Sequence, residues 1–550
     1  IPRELTLKKK KDYKLIGTSK KNVEGSKIVT GKPLFGLDFK HEGMLVAAIE
    51  HPPAFGMKVK SFNKEEIKRM KGVDDAFIVD STLPKKQWNS TNAFPQIIAI
   101  LGKTTWQVMN AKKMLRVTWD NVGELETSEM HEQRLIKDIE TGKVDSMRKD
   151  GDPDAAFARA EKVIERTYTS PFMPHNPMEP MNFFADVKDN SAELIGPTQT
   201  PKAVQEAVSS MLNIPKENIS LKMTRMGGGF GRRLYTHFGL EAAAISKKVG
   251  APVKMVYTRE DDMTQGTYRP AYRSVYKAGL DKNNNLIAFT VKGVGLPSGP
   301  VFPDRFPAGT VDNYLAESKI SYTNISTGAW TAPRSHFTAG AEQSFIDEVA
   351  ETAEKDPIDF RLELFNKAIN NPVGKKYDYD ADRYAGVLKL VKEKSDWGTN
   401  ASTVHKGVAA YFCHSTYVAV VMEVILKKNQ PKLKKVWCAV DCGIVINKEG
   451  ATNMIEGRII DGIGHAMYSE LKFENGSSVH KNFDTYDFIR HNQSPSEIEV
   501  FFVENEITPT GLGEPSLPPA VGALANALYK ATGSRFYHQP FSKHHEISLG

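Results

Sequence analysis

Two short segments of this chain carry residues suited to work on an anionic ligand. The first is the loop Met226-Gly227-Gly228-Gly229-Phe230-Gly231-Arg232-Arg233, in which four of five consecutive positions are glycine. Because glycine weakens local order unless the backbone geometry requires it, this density predicts a site where main-chain amides approach a ligand closely. The second segment, Gly511-Leu512-Gly513-Glu514-Pro515, holds one carboxylate in a glycine and proline frame. Together they predict amides that bind an anion and one acid–base group beside it.

The carboxylate of Glu514 has the features of a general base. A lone carboxylate in a low-dielectric cleft has a raised pKa, because burial disfavours its charged form. A base works best when its pKa lies near the operating pH, so the sequence predicts that Glu514 is such a base. The alternative interpretation, a glutamate on a surface turn, is left open by the residue type.

Gln199 is a third candidate, in the segment Pro197-Thr198-Gln199-Thr200-Pro201. It follows a predicted strand and precedes a predicted helix, a position where functional loops occur. A carboxamide there can donate a hydrogen bond to an oxygen ligand while the backbone holds its carbonyl. A turn residue or a helix cap is the alternative.

Other ligand motifs fit this chain poorly. The glycine loop lacks the Gly-Lys-Ser/Thr end of a P-loop and departs from the GxGxxG dinucleotide pattern, which disfavours kinase and NAD-binding functions. Prolines between and on both sides of His175 and Glu179 prevent a shared helical face, so the sequence does not predict a metal held by protein side chains. His414, next to Cys413, is predicted to be structural.

Composition narrows the function classes. A length of 550 residues predicts roughly two to four domains. An apolar content of 40% and a charged content of 25% are typical of a globular protein. The net charge of +7 comes from scattered lysines, with one dense run at residues 8–11, and no basic and aromatic stripe indicates a nucleic-acid surface. No run of about 18 apolar residues predicts a membrane span.

The three cysteines, Cys413, Cys438 and Cys442, exclude a disulfide framework. Cys438 and Cys442 have three residues between them, which is not the spacing of a zinc or thioredoxin pair. An iron–sulfur cluster requires four ligands, so we expect any such cluster to lie on another chain or domain.

Alternating apolar runs and helical patterns predict a mixed α/β fold with functional loops at strand ends. Residues 1–25 are predicted to be an arm or linker, 26–125 a small α/β domain, and 120–154 a polar linker with helical pieces. Residues 292–335 are predicted to be irregular, and 407–426 a single apolar strand. Further strands are predicted at 44–49, 76–79, 97–101, 192–196, 219–223, 253–257, 286–291, 433–440 and 498–503, and helices at 64–70, 105–114, 155–163, 240–249, 342–355, 452–467 and 519–532.

These motifs, in this order, resemble the molybdopterin-binding large subunit of the xanthine dehydrogenase and aldehyde oxidase family, in particular the bacterial isoquinoline 1-oxidoreductase β-subunit type. The resemblance extends from about residue 13 to residue 541. Besides the segments already quoted, it is carried by Met178-Glu179-Pro180-Met181-Asn182, Ser344-Phe345-Ile346-Asp347-Glu348, Val440-Asp441-Cys442-Gly443 and Ile455-Glu456-Gly457.

The resemblance implies a small hammerhead-like domain at 26–125 and a molybdopterin-binding domain in two parts, at 126–395 and 396–550. It implies a molybdenum–pyranopterin cofactor, in its cytosine dinucleotide form, whose dithiolene sulfurs hold the metal in place of protein ligands. Glu514 is then the base that activates water for attack on an aldehyde or an N-heteroaromatic ring. The residues implied to bind the cofactor are Gln199, Gly228, Gly229, Phe230, Gly231, Arg232, Thr331 and Gly513.

The resemblance also implies partners. Electrons would leave through [2Fe-2S] clusters on a small partner subunit, and a second polypeptide or a further N-terminal segment would complete the cofactor site. A periplasmic location is expected, with the cytoplasm as the alternative.

This chain departs from its relatives at several positions. Thr331 follows Trp330 where an arginine is usual, Met454 replaces a glutamine, and Arg233-Leu234 replaces a purine-recognising glutamate, which disfavours xanthine as substrate. The departures leave a second hypothesis open, a non-catalytic structural or assembly homologue with the same fold.

Overall fold

A computed structural model describes residues 8–85, 91, 94, 96–399, 403–545 and 547–549. The first seven residues of the predicted arm lie outside the described residues. Within the described part, the strands are β1 (Leu45–Glu50), β2 (Met57–Phe62), β3 (Val73–Asp80), β4 (Gln96–Gly102), β5 (Val117–Asn121), β6 (Asp145–Asp150), β7 (Lys162–Ser170), β8 (Asn182–Val187), β9 (Ala192–Gly196), β10 (Ile219–Met223), β11 (Val253–Val256), β12 (Ala271–Leu280), β13 (Leu286–Leu296), β14 (Asn313–Ile320), β15 (Val404–Cys413), β16 (Thr416–Lys427), β17 (Gln430–Asp441), β18 (Phe473–Glu474), β19 (Ser477–Ser478) and β20 (Glu497–Phe502).

The α-helices of the described residues are distributed along the whole chain. They are α1 (Gly25–Val29), α2 (Lys64–Lys68), α3 (Thr105–Lys113), α4 (Ser128–Glu140), α5 (Pro153–Ala158), α6 (Pro201–Leu212), α7 (His237–Val249), α8 (Arg259–Thr264), α9 (Ser335–Thr352), α10 (Pro357–Asn370), α11 (Ala381–Lys394), α12 (Lys448–Met467), α13 (Leu517–Thr532) and α14 (Phe541–His545). Helices and strands alternate over most of the chain, as the sequence predicted.

Three large sheets organise the fold. They have the strand orders β10-β9-β8-β11-β1-β4-β3, β6-β14-β13-β12-β7 and β15-β16-β17-β20. In the first sheet β1 pairs in parallel with β11, with Leu45 opposite Val253. This sheet crosses the predicted boundary at residue 125, so the predicted small domain shares its sheet with the segment that follows.

Two buried helices position the ends of the loops that precede them. Gly340 of α9 lies against Val521 of α13, and further along the same helices Glu351 accepts a hydrogen bond from the Tyr529 hydroxyl at 2.8 Å. Because the later residue of α9 contacts the later residue of α13, the two helices run parallel. Their N-terminal loops, which end near residues 334 and 516, therefore lie at the same end of the pair.

Several predicted elements were wrong. Residues 120–154 contain the helix α4, in agreement with the predicted helical pieces, but also the strand β6, which was not predicted, and residues 292–335 contain β14 and the end of β13. β6 was missed because it is largely polar and buries Arg148, which forms an ion pair with Asp150 at 2.7 Å. The predicted strand at 407–426 is two strands, β15 and β16, joined by a turn at His414 and Ser415. Among the described residues, the helices are all too short or too polar to cross a membrane.

The buried carboxyl of Glu342 on α9 predicts a pH-dependent stability. Burial raises its pKa from 4.5 to about 8. The folded protein holds this proton more tightly than the unfolded chain between those two values, so the free energy of unfolding falls as the pH rises through that window. We expect Glu342→Gln to abolish most of this loss, on the order of a few kcal/mol. Thermal unfolding at about pH 5 and about pH 8.5 measures it.

The matched control is Glu504→Gln, because the Glu504 side chain is 92% exposed. The control is expected to keep the parent's pH dependence. If the melting temperatures of Glu342→Gln at the two pH values differ as much as those of the parent, Glu342 is not the source of the pH dependence.

Candidate active site

The glycine loop lies between β10 and α7 and is held from behind by Glu179. The Glu179 carboxylate accepts a hydrogen bond from the Gly227 amide at 2.8 Å, and the Glu179 amide donates to the Gly227 carbonyl at 3.0 Å. Arg233 donates from Nε to the Gly228 carbonyl at 2.8 Å and from Nη2 to the Glu179 carbonyl at 2.7 Å. Glu179, which the sequence did not predict as a metal ligand, therefore supports the loop by hydrogen bonds.

The front of the loop presents free backbone donors. Within the described part of the chain, the amides of Gly228, Gly229 and Phe230 donate to no acceptor. Gly228 and Gly231 have φ angles of +103° and +106°, in a region that side chains rarely adopt. Consecutive amides in such a bend form a concave site that attracts anions.

Gln199 is fixed against this loop. Its backbone amide donates to the Arg233 carbonyl at 3.0 Å, and its side-chain Oε1 accepts from the Gly231 amide at 3.2 Å. A Cβ at Gly229 would lie 2.6 Å from Oε1, so a side chain at this position would displace the Gln199 carboxamide. With its carbonyl oriented by the backbone, the carboxamide of Gln199 has its NH₂ group available as a donor.

The structure brings Glu514 to the same site through the loop before α9. The Thr331 amide donates to the Phe230 carbonyl at 3.0 Å, and the next amide, of Ala332, donates to Glu514 Oε1 at 3.1 Å. Since neighbouring Cα atoms are about 3.8 Å apart, the glycine loop and the carboxylate lie within about 10 Å of each other. Ala332 has a φ of +51°, the kind of backbone strain that clusters at functional sites.

His414, predicted to be structural, contacts the carboxylate of Glu514, the candidate base. Its Nε2 is 2.6 Å from Glu514 Oε2. Burial raises the pKa of Glu514, but hydrogen bonds from His414 and the Ala332 amide, with the charges of His414 and Arg458, lower it below its ordinary value. The prediction of a raised pKa was therefore wrong, because it counted burial and could not include these donors.

Arg458 of α12 connects the two motifs. It donates from Nε to the Gly513 carbonyl at 2.7 Å, and its guanidinium lies 5.0 Å from the centre of the Phe230 ring. It also pairs with Asp461 at 2.6 Å, one helical turn further on. This arginine joins the loop of the carboxylate to the glycine loop, a role that was not predicted from the sequence.

A cavity of about 220 Å³ opens beside Phe230 and Thr331. Its wall is largely aromatic, with Arg458 and Asp461 as its charged pair, and burial raises the pKa of Asp461. The aromatic and imidazole side chains that line it are His175, Phe230, Trp330, His465, Phe483, Tyr486 and Phe488.

Arg232 is the predicted site residue that the structure places elsewhere. Its side chain is 1% exposed and donates from Nη1 to His237 Nε2 at 2.8 Å, within the protein interior. Burial, followed by the charge of Arg232, lowers the pKa of His237 well below its ordinary value, so the imidazole is a neutral acceptor. The side chain of Arg232 does not reach the open face of the glycine loop.

The residues present fit an anionic group that carries its own metal ligands. The free amides of residues 228–230 and the Gln199 carboxamide are donors suited to oxygen atoms. Among the described residues, no three His, Cys, Asp or Glu side chains are grouped so as to hold a metal ion. A metal at this site would therefore depend on ligands supplied by a cofactor.

Comparisons with known proteins show what this chain is similar to. Two family models, each described as a molybdopterin cofactor-binding domain, match residues 135–365 and 341–495. The membrane-bound aldehyde dehydrogenase (pyrroloquinoline-quinone) of Gluconacetobacter polyoxogenes is 27% identical over 98% of this chain and 73% of its own length. The isoquinoline 1-oxidoreductase β subunit of Brevundimonas diminuta is 27% identical over 98% of this chain and 69% of its own length.

Among solved structures, quinoline 2-oxidoreductase from Pseudomonas putida 86 superposes with a TM-score of 0.80. The match covers 96% of this chain and 97% of that chain at 14% identity, which shows the fold alone. The predicted mixed α/β fold is confirmed, whereas the boundaries between the predicted domains stay predictions.

Proposed function

We propose a specific reaction for this chain, which belongs to the molybdopterin-binding large subunits of the xanthine dehydrogenase and aldehyde oxidase family and is a molybdenum-dependent oxidoreductase. It is the catalytic subunit of a molybdenum hydroxylase that oxidises an aldehyde or hydroxylates an N-heteroaromatic ring, with water as the oxygen source. The observation that carries this proposal is the placement of Glu514 beside the glycine loop through the consecutive amides of Thr331 and Ala332.

The residues of the site have separate tasks. The cofactor, when bound, supplies a Lewis acid and an acceptor for two electrons. The amides of residues 228–230 and the carboxamide of Gln199 hold its oxygen atoms by hydrogen bonds. Glu514 accepts the proton of the attacking water at its carboxylate, which the neighbouring donors keep ionised and oriented.

The aromatic lining of the cavity favours a flat, partly apolar substrate. Phe230, Trp330, Phe483 and Phe488 offer ring surfaces, which suit an aromatic aldehyde or a heteroaromatic ring. Asp461 is a charged acceptor on this wall for a ring N–H, and its ion pair with Arg458 fixes its orientation. A hydrogen-bond acceptor beside several ring surfaces favours a substrate with one polar edge.

The proposal includes partners and a cofactor form. Electrons pass to [2Fe-2S] clusters of a small partner subunit, since the three cysteines of this chain are too few to hold a cluster. The cofactor is the cytosine dinucleotide form, and a further polypeptide segment covers the exposed side of the site, where Met178 is 79% exposed. The assembled enzyme is periplasmic.

Metal analysis and a substrate panel test this proposal together. We expect about one molybdenum per chain in the enzyme matured with its partner, and cytidine nucleotide released on denaturation. A panel of aldehydes and N-heterocycles with an artificial electron acceptor should identify oxidised substrates, with ¹⁸O from labelled water in the product. Mature protein that lacks molybdenum and nucleotide would support the non-catalytic homologue instead.

A further inference from the structure

His414 lies in the turn between β15 and β16, and the backbone conformation of this turn is unusual for a histidine. The strands pair up to Cys413 opposite Thr416, so His414 and Ser415 form a two-residue loop. Their φ angles are +51° and +61°, as in a type I′ hairpin turn. Asparagine, aspartate and glycine are the usual residues there, so a histidine at the first position indicates a role for its side chain.

This turn is locked onto the loop that carries the carboxylate. The Gly511 amide donates to the His414 carbonyl at 3.2 Å, and the hydroxyls of Thr416 and Thr510 lie 2.6 Å apart. A Cβ at Gly511 would lie 2.7 Å from the His414 Cβ, so the two backbones are in close contact. The turn that carries the imidazole and the loop that carries the carboxylate are therefore held against each other.

Both oxygens of the Glu514 carboxylate are engaged by donors from different parts of the chain. Oε1 accepts from the Ala332 amide at 3.1 Å, and Oε2 lies 2.6 Å from His414 Nε2. We propose that His414 is a positioning residue which, with the Ala332 amide, orients the carboxylate of Glu514 and keeps it ionised in the resting site. The proposal rests on the proposed base role of Glu514.

The neighbouring groups favour a protonated imidazole beside an ionised carboxylate. Contacts with the side chains of Cys413 and Glu514 raise the pKa of His414 to about 10, against a smaller effect of burial. The positive charge of Arg458, from α12, lowers the pKa of Glu514 and so favours the ionised carboxylate, and Arg305 is the other cation nearby, beside Cys413. At neutral pH the pair is thus an imidazolium and a carboxylate, a charge-assisted hydrogen bond.

The physical consequence concerns the acidic side of the pH profile. With His414 charged, Glu514 stays ionised below its ordinary pKa and is available as a base in mildly acidic solution. Without that charge, burial would raise the pKa of Glu514 and the protonated fraction would grow at the same pH.

His414→Asn tests this consequence, because asparagine tolerates the left-handed turn but carries no charge. We expect the acidic limb of kcat/KM to move to higher pH by about one unit or more, with KM little changed and kcat several-fold lower near pH 6. His414→Lys restores a cation and should return the limb towards the parent. His405→Asn, on the strand β15 that leads into the turn, is the matched control and should leave the limb in place.

Titration of the histidine itself tests the pairing without measuring activity. In the full chain labelled with ¹⁵N histidine, the resonance that His414→Asn removes identifies His414. We expect it to stay protonated beyond about pH 9 in the parent, and its pKa to fall by about one unit or more in Glu514→Gln.

Two results would overturn the proposal. One is a His414 with a pKa near its ordinary value of 6.5 in the parent, or with the same pKa in the parent and in Glu514→Gln. The other is an acidic limb of kcat/KM that does not move in His414→Asn, or that moves by the same amount in His414→Lys and in His414→Asn. If the pair titrates as expected in a chain that oxidises nothing in the substrate panel, the proposed function fails and the pairing stands.

Discussion

Glu514→Gln is expected to retain the cofactor and to lose turnover by about 10²- to 10⁴-fold, the contribution of a positioned acid–base group. Glutamine has nearly the same shape, and its carbonyl can still accept the hydrogen bond from the Ala332 amide. It cannot accept a proton, so binding survives while proton transfer does not. Molybdenum content and kcat measured on the same preparation separate the two effects.

Glu506→Gln is the matched control, since Glu506 is exposed in the segment that leads to the same loop. It should leave both kcat and molybdenum content near the parent values. A Glu514→Gln variant that contains the metal and oxidises a working substrate at close to the parent rate would show that another group is the base.

Gly231→Ala is expected to destabilise the protein by about 2 to 5 kcal/mol and to abolish cofactor retention. Gly231 has a φ of +106°, and a Cβ there would lie 2.0 Å from the Ala329 carbonyl oxygen. That oxygen accepts from His175, so neither atom can move without breaking a buried contact. A shift of the Gly231 amide would also release Gln199. Chemical denaturation and molybdenum analysis measure the two losses.

Gly250→Ala is the control that separates the destabilisation caused by a positive φ from the destabilisation caused by steric overlap of the new Cβ. Gly250 also has a positive φ, +67°, but a Cβ there meets no atom within 4 Å. Its substitution should cost about 1 to 2 kcal/mol and leave the cofactor in place. Equal destabilisation of the two variants would mean that the loop at 231 adapts, and that its tight packing is not what forms the site.

Local patterns were enough to predict much of this fold. The strands at 192–196 and 219–223 have the predicted bounds, and a loop at 227–231 joins β10 to α7 as expected. These features follow from short apolar runs and from glycine density, which depend on neighbouring residues only. The lone carboxylate in its glycine and proline frame was also visible in the sequence, because its composition is unusual.

The turn at His414 shows where local patterns fail. Neither His414 nor Ser415 is a residue that usually marks a hairpin turn, so the apolar texture on both sides indicated one continuous strand. Tertiary contacts with the loop at 510–511 hold this backbone, and they are invisible to periodicity.

The sequence by itself determined which groups this protein has for chemistry: an amide-rich bend, a carboxamide after a strand, and one framed carboxylate. Only the tertiary structure decided their electrostatics. The parallel packing of α9 and α13 brings the Ala332 amide to Glu514, and the hairpin brings His414, a hundred residues away in the chain, to its other oxygen. A carboxylate's pKa depends on the donors and charges within a few ångströms, and chain order does not reveal those neighbours.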